Sequence, residues 1–489
     1  MEAPGKGEKG MSYIDIYRQL QKQLMEPYKL CEIDVETITP LLIGGYDGKT
    51  YHDDKLGSES LRAASIKGVW RWWARALIAA AMVKKHGKCP RYLNVVDSYV
   101  SKIFGSTQEQ SKYSIAVTPQ RLNKSSYDVI ERLSDVPRIK LLREMRRERF
   151  IKPGIRFKIT VYRTRDTNPI EDQFAVWSLI TSLIFDGVGK ATSRGFGKLK
   201  INRINVRGDF MELEEVIRKL YSSNSHKDIE NHLKEVINYA INSAEKFEID
   251  DKYLSSTLEP SIEIPLIDER LMILEIPRSQ FRDYISVLKV IGNASLKLYY
   301  KAIRYVKKKI SIYEAKRRSF VESGKNIHTW ILGLPRSQEL PLIPDHGKKI
   351  KDLRKKLENE LEKLNLSSEV LLNRIEFDKK RGKIKVPTGY YYLMGRNIKL
   401  RRRSPIRFTT IKTNSNYFFT VIYAFKTADW KERIRHLVHI GVNYKKIDEK
   451  IVEVENFEVT RVRDISIDDV INTIVHIAKE IIECIGEGS

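Results

Sequence analysis

The sequence has little of what stabilises secreted or membrane-spanning chains. Only three cysteines occur in 489 residues, Cys31, Cys89 and Cys484, and none belongs to a CxxC pair. Neither a disulfide framework nor a zinc ribbon is therefore supported. The longest apolar run, residues 76–83, is far shorter than the ~20 residues of a membrane span, and the start MEAPGKGEKG lacks the apolar core of a signal peptide. We expect a cytoplasmic protein with no membrane partner.

Acidic residues are also under-represented relative to basic ones. The chain has 88 Lys and Arg against 63 Asp and Glu, which gives a net charge of +25 and a pI near 9.6. Such a balance favours a polyanionic partner, nucleic acid before a membrane surface. The alternative is a heavily charged, solvated surface of the thermophilic kind. With 42% hydrophobic residues the chain can bury a sizeable core, and its length predicts about two to four domains.

Apolar periodicity predicts an α+β chain that begins with a tail at residues 1–27. The first half, residues 28–207, is predicted to run strand, loop, helix, strand, helix, glycine-rich loop, strand, at residues 29–42, 44–60, 65–82, 155–162, 169–185, 186–197 and 198–206. Asn168, Pro169 and Glu171 form a strong start for the second helix. This order fits a ferredoxin-like sandwich.

A polar helical insert at residues 208–260 separates this half from a second one at residues 261–489. The second half is predicted to contain a strand, a long helix, a helical insert, two strands and a last helix, at residues 271–276, 280–309, 348–373, 405–412, 417–425 and 467–482.

The most distinctive motif is DGVGKATSRGFGKLKI, residues 186–201. It combines glycines with cations, in the order Gly187, Gly189, Lys190, Arg194, Gly195, Gly197 and Lys198. Glycine lets a backbone approach a bulky ligand, and the cations favour an anionic one. A Walker A loop is excluded because Ala191 follows Gly189-Lys190 and because the loop precedes a strand instead of a helix. The dinucleotide fingerprint fails because Thr192 stands where the third glycine belongs.

Two interpretations of this glycine loop remain. In the first, its amides and cations track a phosphodiester backbone. In the second, the glycines serve turn geometry alone.

A basic stripe runs along the predicted helix ASIKGVWRWWARALIAAAM. At ~100° per residue, Lys67, Arg71 and Arg75 share one side, apart from the apolar face. Trp72 lies beside these cations, where an exposed indole would be a base-stacking platform. The alternative is that Trp72 packs under the insert and that the cations are merely solvated. The Gly44-Gly45 turn before the helix can bring its backbone to the same face.

Catalytic candidates are few. Tyr51-His52-Asp53-Asp54 is the only well-placed set for a metal-independent ribonuclease, which needs a histidine base. We favour the alternative of a polar loop without catalytic geometry. His436 and His439 are spaced i, i+3 on a predicted helix, but no neighbouring Cys or carboxylate cluster completes a metal site. We therefore expect no metal and no cofactor.

Four motifs together resemble a known family. TPLLIGG followed by SIKGVWRWWARAL is similar to the amino-terminal signature of RAMP-superfamily CRISPR-associated proteins, and the glycine loop resembles the loop before that superfamily's last strand. WILGLPRS and RRRSPIRFTTIK resemble the carboxy-terminal half of the first subunit of the Cmr complex, the type III-B RNA-guided effector. The resemblance covers residues 28–207 and 261–489, and the tail and helical inserts lie outside it.

This resemblance implies two ferredoxin-like, RRM-like domains and a non-catalytic subunit that contacts guide or target RNA near the guide 3′ end. It implies as partners the CRISPR guide RNA, target RNA and the other Cmr subunits. The residues implied to contact RNA are Gly44, Gly45, Lys67, Arg71, Trp72, Arg75, Gly187, Gly189, Lys190, Arg194, Gly195, Gly197, Lys198, Arg402 and Arg403. The predicted strands lack clear RRM aromatic motifs, so we expect loops and the first helix, not the sheet face, to bind.

Three functions stay open on the sequence alone. The first is the RNA-binding subunit. The second is a RAMP endoribonuclease that acts through His52, Asp53 or Asp54. The third is a protein scaffold whose basic surface serves only acidic partner subunits.

Overall fold

The computed structural model describes most of the chain. These are residues 24–44, 60–86, 93–137, 149–208, 210–247, 272–297, 346–378, 382–394, 404–427, 437–447, 452–462 and 465–486, with short strands at 52–53, 57–58, 89–90, 254–255, 265–266, 338–341, 397–399 and 433–434.

The amino-terminal half, up to residue 255, contains ten strands and five α-helices among these segments. The strands are β1 Lys29–Thr37, β2 His52–Asp53, β3 Gly57–Ser58, β4 Cys89–Pro90, β5 Tyr113–Gln120, β6 Tyr127–Val129, β7 Arg149–Ile151, β8 Arg156–Arg163, β9 Leu199–Val206 and β10 Leu254–Ser255. The helices are α1 Ala63–His86, α2 Leu93–Phe104, α3 Pro169–Phe185, α4 Met211–Ser222 and α5 His226–Glu245.

An antiparallel sheet organises this half, in the strand order β5-β8-β1-β9. The alternation of β1 sends Cys31, Ile33 and Val35 to a buried face, where they join one core with α1 and α3. The opposite face carries charged side chains that pair across strands, with Glu32 2.8 Å from Lys158 and Glu36 3.3 Å from Arg156. The sheet thus has one apolar and one ionic face.

Local signals set the start of α3. Asn168 Oδ1 accepts a hydrogen bond of 2.8 Å from the Glu171 amide, and the Glu171 carboxylate accepts one from the Asn168 amide. With Pro169 at the first position this is a capping box, and it confirms the predicted start. The helix is buried over most of its length because the sheet, α1 and α5 surround it, and Trp177 stacks on Tyr239 at 4.7 Å.

The carboxy-terminal half, from residue 265, contains fourteen strands and four α-helices among the described residues. The strands are β11 Pro265–Leu266, β12 Met272–Glu275, β13 Gln280–Phe281, β14 Gln338–Pro341, β15 Glu376–Asp378, β16 Lys383–Val386, β17 Gly389–Met394, β18 Asn397–Lys399, β19 Ile406–Lys412, β20 Phe418–Thr427, β21 Arg433–Ile434, β22 Leu437–Lys446, β23 Val452–Val462 and β24 Ile465–Ser466. The helices are α6 Tyr284–Lys297, α7 His346–Glu362, α8 Glu369–Leu372 and α9 Ile467–Gly486.

β20 is the central strand of the second half and is buried on both faces. It pairs with β19 along one edge and with β11, β12 and β13 along the other. Val421 and Tyr423 point into the core of the amino-terminal half, whereas Ile422 and Ala424 point into a second core with α6 and α9. The sheet is thus a shared layer between the halves.

A third core lies farther along the carboxy-terminal half. It contains Leu353, Leu357 and Leu361 of α7 together with apolar residues of β14, β16, β22 and β23. The sheets β14-β16-β15 and β18-β17-β22-β23 enclose it. This small core shares no buried residue with the other two.

The mixed α/β class with antiparallel sheets is confirmed, but several elements differ from prediction. The helix predicted to start at Ser65 begins two residues earlier, at Ala63. Gln280, predicted to start a helix, lies in β13. His439, predicted on a helix, lies in β22, whose form is set by its long pairing with β23, and His436 lies outside the described residues. The sequence did not predict the strand β5.

No helix within the described segments is long and apolar enough to cross a bilayer.

Because β20 is buried on both faces, truncation of either face is expected to be costly. We expect Val421→Ala and Ile422→Ala each to lower the free energy of unfolding by roughly 2 kcal/mol or more, measured by chemical denaturation. Thr118→Ala, at an exposed position of β5, serves as the control and should be near neutral. A near-neutral result for Val421→Ala or Ile422→Ala would contradict the two-sided burial.

Candidate nucleic-acid interface

All four glycines of the glycine loop, residues 186–197, adopt positive φ. The angles are 68° at Gly187, 92° at Gly189, 88° at Gly195 and 63° at Gly197. L-residues with a Cβ rarely take this conformation. The glycine pattern is therefore explained first by backbone shape.

Close backbone approach adds a second requirement. A Cβ on Gly197 would collide with the Val188 carbonyl, one on Gly187 with the Gly197 carbonyl, and one on Gly189 with the Leu42 carbonyl. At Gly195 the obstacle is the flexible end of a side chain instead. The loop is folded tightly on itself and on the segment that follows β1.

Several amides of the loop donate hydrogen bonds to carbonyls within the protein. The Val188 amide donates to Gly197 O at 2.9 Å, the Lys190 amide to Leu42 O at 2.8 Å, and the Gly197 amide to Pro40 O at 3.0 Å. An amide that donates to a protein carbonyl is not available to a phosphate. This geometry favours the turn interpretation for the glycines.

The crest of the glycine loop, residues 189–194, is its accessible part. Gly189 and Ser193 are exposed, and Lys190, Thr192 and Arg194 are partly exposed. Gly44 lies nearby, since the Lys190 amide bonds the same short segment and Arg62 donates to the Gly44 carbonyl. The structure thus brings together Gly44, Lys190 and Arg194, while Gly45 lies outside the described residues.

Lys198 does not reach the surface, which corrects its predicted contact with RNA. Only 1% of the residue is exposed, and its ammonium donates to Phe185 O at 3.0 Å and to Asp186 O at 2.8 Å. Burial lowers the pKa of Lys198 to about 7, with the Asp186 carboxylate opposing the shift and the Arg407 guanidinium adding to it. Its role is to cap the end of α3.

Trp72 is not an exposed stacking platform. Its indole is partly buried against Trp73 and Phe425, and the Arg407 guanidinium lies over its ring at 4.2 Å from the centroid. The ring face on which a base would stack is covered by the Arg407 guanidinium, which belongs to the carboxy-terminal half. The alternative that Trp72 packs inside is the one the structure favours.

Two members of the basic stripe on α1 bind within the protein. Arg71 donates to the carbonyls of Phe104 and Gly105, and Arg75 pairs with Asp97 on α2. Burial and the charge of Arg75 lower the pKa of Arg71. Lys67 is partly exposed, and burial together with Arg71 lowers its pKa. Of the stripe, Lys67 is the member best placed for a ligand.

Other predicted site residues are only partly described. His52 and Asp53 form β2, which pairs with β3, so the predicted loop at 44–60 contains a short hairpin. Asp54, Arg402 and Arg403 lie outside the described residues. Within the segments that are described, no group of three His, Cys, Asp or Glu side chains is arranged to hold a metal ion.

The sequence also contains a direct signal of a buried contact. Arg407 stands in the apolar strand IRFTTIK, with apolar residues on both sides. A cation in such a strand indicates a buried partner. That partner is Asp186, whose carboxylate lies 2.7 Å from the guanidinium, and each residue is 7% exposed.

The comparisons with known proteins agree with this architecture. The family described as the RAMP superfamily matches residues 34–200, which hold the first sheet, α1, α3 and the glycine loop. The RAMP superfamily is therefore the family that this part of the chain resembles.

Curated RAMP relatives include two Cmr subunits of Pyrococcus furiosus. The chain is 27% identical to CRISPR system Cmr subunit Cmr1-1 over 186 residues, which are 36% of this chain and 49% of that protein. It is 31% identical to Cmr1-2 over 93 residues, 19% of this chain and 42% of that protein. Both matches therefore span less than half of the relative.

A solved structure shares the fold over most of the chain. It is a chain of the type III-B Cmr-beta complex bound to cognate target RNA and AMPPnP, in the presence of ssDNA. The TM-score is 0.57 at 16% identity, and the alignment covers 83% of this chain and 96% of that one. The resemblance to the first Cmr subunit, expected from the motifs, is confirmed.

The glycine at 197 is expected to be irreplaceable for steric reasons. Gly197→Ala should lower the free energy of unfolding by roughly 2–4 kcal/mol, because the methyl meets a carbonyl and φ is positive. Gly154→Ala is the matched control, since Gly154 also has positive φ but open space around it. That variant should lose only about 1 kcal/mol. Equal losses in a denaturation experiment would remove the steric argument.

Lys198 should make stability depend on pH. Its pKa is about 7 in the folded chain and 10.5 ordinarily, so the unfolded chain holds more protons between these values. The free energy of unfolding should therefore rise with pH in this window, by up to about 1.4 kcal/mol per unit. The measurement compares the chain with Lys198→Met from pH 6.5 to 9, at half-unit steps. A pH-independent difference would contradict a lowered pKa.

Proposed function

We propose that the chain is a non-catalytic RNA-binding subunit of a type III-B CRISPR ribonucleoprotein, the Cmr complex, in antiviral defence. In this proposal it contacts guide or target RNA near the guide 3′ end and binds other Cmr subunits. The observation that supports this proposal most directly is the crest of the glycine loop, which presents Lys190 and Arg194 on a tightly folded backbone. Support comes from the RAMP match, the Cmr relatives, the shared fold and the net charge of +25.

We propose two ferredoxin-like domains, at residues 28–207 and 261–489, with a helical insert at 208–260 and another at about 348–373. The first is supported by the strand order β5-β8-β1-β9 with α1 and α3 on one face, the arrangement of a βαββαβ unit. The second is supported by β12, β19 and β20 in one sheet covered by α6 and α9.

RNA contact is proposed at loops and not on the sheets. In the first sheet the central strand β1 carries Glu32, Asp34 and Glu36 on its outer face, and carboxylates repel phosphates. In the second sheet both faces of β20 are covered. These observations support the expectation that loops and the first helix bind.

The proposed contacts are therefore side chains at the crest. Lys190 and Arg194 would bind phosphates as cations, with Gly189 and Gly44 allowing close approach of the backbone. Lys67 would extend this surface along α1. Arg402 and Arg403 stay in the proposal on the basis of their sequence motif alone. Four other predicted residues instead support the fold around the site: Arg71, Trp72, Arg75 and Lys198.

We propose a non-catalytic role because the resemblance to the first Cmr subunit implies one. His439, one of the histidines weighed as metal ligands, lies in β22, and burial lowers its pKa. The endoribonuclease alternative rests on His52, Asp53 and Asp54. The scaffold alternative predicts RNA affinity that does not depend on Lys67 or Arg194.

Fluorescence anisotropy with a labelled ~40-nucleotide guide-like RNA, followed over time with Mg²⁺, tests the proposal. We expect stable binding that weakens steeply with salt. Lys190→Ala/Arg194→Ala should weaken binding and reduce the slope of log affinity against log salt by about 1.4, since each single-strand phosphate contact contributes about 0.7.

The control variant is Arg218→Ala/Lys227→Ala, which removes two exposed cations from α4 and α5 and leaves the crest intact. Equal loss in both variants would favour nonspecific attraction to the basic surface. Shortening of the RNA during the measurement, abolished by His52→Ala/Asp53→Ala/Asp54→Ala, would favour the endoribonuclease. Absence of any RNA binding would favour the scaffold.

A further inference from the structure

The end of α3 is capped by residues that are distant in the sequence. The Ile184 carbonyl accepts a hydrogen bond of 3.1 Å from the Thr409 hydroxyl, and the Phe185 carbonyl accepts one of 3.2 Å from the Tyr423 hydroxyl. Both donors belong to the carboxy-terminal half, on β19 and β20. A helix ordinarily satisfies these last carbonyls with its own cap or with water. Here the other half of the chain supplies two of the donors, beside Lys198 of the amino-terminal half.

Arg407 extends this contact into the glycine loop. Its guanidinium donates to Asp186 Oδ2 at 2.7 Å, and Asp186 Oδ1 accepts from the Thr192 hydroxyl at 3.4 Å. Asp186 is the first residue of the loop, and Thr192 stands on the crest between Lys190 and Arg194. One carboxylate therefore connects a strand of the carboxy-terminal half to the crest.

A second connection runs through the backbone of β19. The Phe408 amide donates to the Ser193 carbonyl at 3.3 Å, and Phe408 forms a parallel bridge with Arg194. Arg407 and Phe408 are consecutive, so adjacent residues of β19 contact Asp186 at the start of the loop and Ser193 on the crest.

The surroundings of Arg407 make the ionic contact strong and directional. The guanidinium lies over the Trp72 ring at 4.2 Å and over the Phe425 ring at 5.4 Å from the centroids. Water is largely excluded, since Arg407 and Asp186 are each 7% exposed. At low local dielectric an ion pair is stronger, and its planar donor fixes the carboxylate position.

We propose that Arg407 is a positioning residue for the crest: through Asp186 and Thr192 it sets where Lys190 and Arg194 stand, although it does not itself contact RNA. The inference rests on the proposed RNA-binding function of the crest. It assigns to the carboxy-terminal half a direct part in shaping the crest, which lies in the amino-terminal half.

The test separates positioning from stability by changing one or both charges. Arg407→Gln leaves a buried, unpaired Asp186 and should lower stability and loosen the crest. Asp186→Asn/Arg407→Gln removes both charges and should recover much of the stability, because no uncompensated charge remains. It does not restore the ion pair through which β19 contacts Asp186 and, by way of Asp186, Thr192.

Thr409→Val is the matched control. It removes one hydrogen bond from the same interface, to Ile184 O, and leaves Arg407, Asp186 and Thr192 in place. We expect it to lower stability while RNA affinity stays within about twofold of the parent protein.

Two readouts are taken on the full chain. The first is hydrogen exchange at the Lys190, Arg194 and Gly195 amides, all of which donate backbone hydrogen bonds. The second is RNA affinity by anisotropy. In both Arg407 variants we expect faster exchange at these amides and RNA affinity reduced about tenfold, the effect of one lost charged contact.

The inference is overturned if the double variant regains RNA affinity together with stability, or if Arg407→Gln leaves exchange at the crest unchanged. If the parent chain binds no RNA, the proposed function fails. The exchange comparison then still supports or overturns the positioning role, because it needs no ligand.

Discussion

The ion pair between Arg407 and Asp186 is the contact around which the two halves of the molecule meet. Both residues are nearly buried, and an unpaired charge at either position would be costly. Lys198, Trp72 and Tyr423 surround the pair and each contacts one of its members or the end of α3. The geometry of the glycine loop therefore depends on residues more than two hundred positions later in the chain.

The position of the candidate interface follows from how the sheets are covered. β20 is shared by two cores, so its sheet has no open face, and the first sheet exposes a face of alternating carboxylates and cations. The loops at the junction are then left as the accessible cationic surface.

The sequence predicted those features that depend on neighbouring residues. The start of α3 was correct to within one residue because Asn168, Pro169 and Glu171 act locally. The position of the glycine loop was predicted from the sequence. The close contacts that require its glycines were not, because the carbonyls that it approaches include that of Leu42, far away in the sequence. Trp72 was misassigned for the same reason, because the guanidinium over its ring belongs to Arg407 in the other half of the chain. Lys198 was misassigned because periodicity does not reveal that its ammonium donates to the carbonyls at the end of α3. Strand β22 was missed because its form depends on pairing with β23.

The third core has a different consequence. Its buried leucines on α7 contact β22, β23 and the small sheet, and share no buried residue with the layers that hold the crest. Substitutions inside it should therefore add to the effects of substitutions at the crest wherever the two sites share no partner. The molecule thus joins a junction fixed by a buried ion pair to a small core built from its own helix and strands.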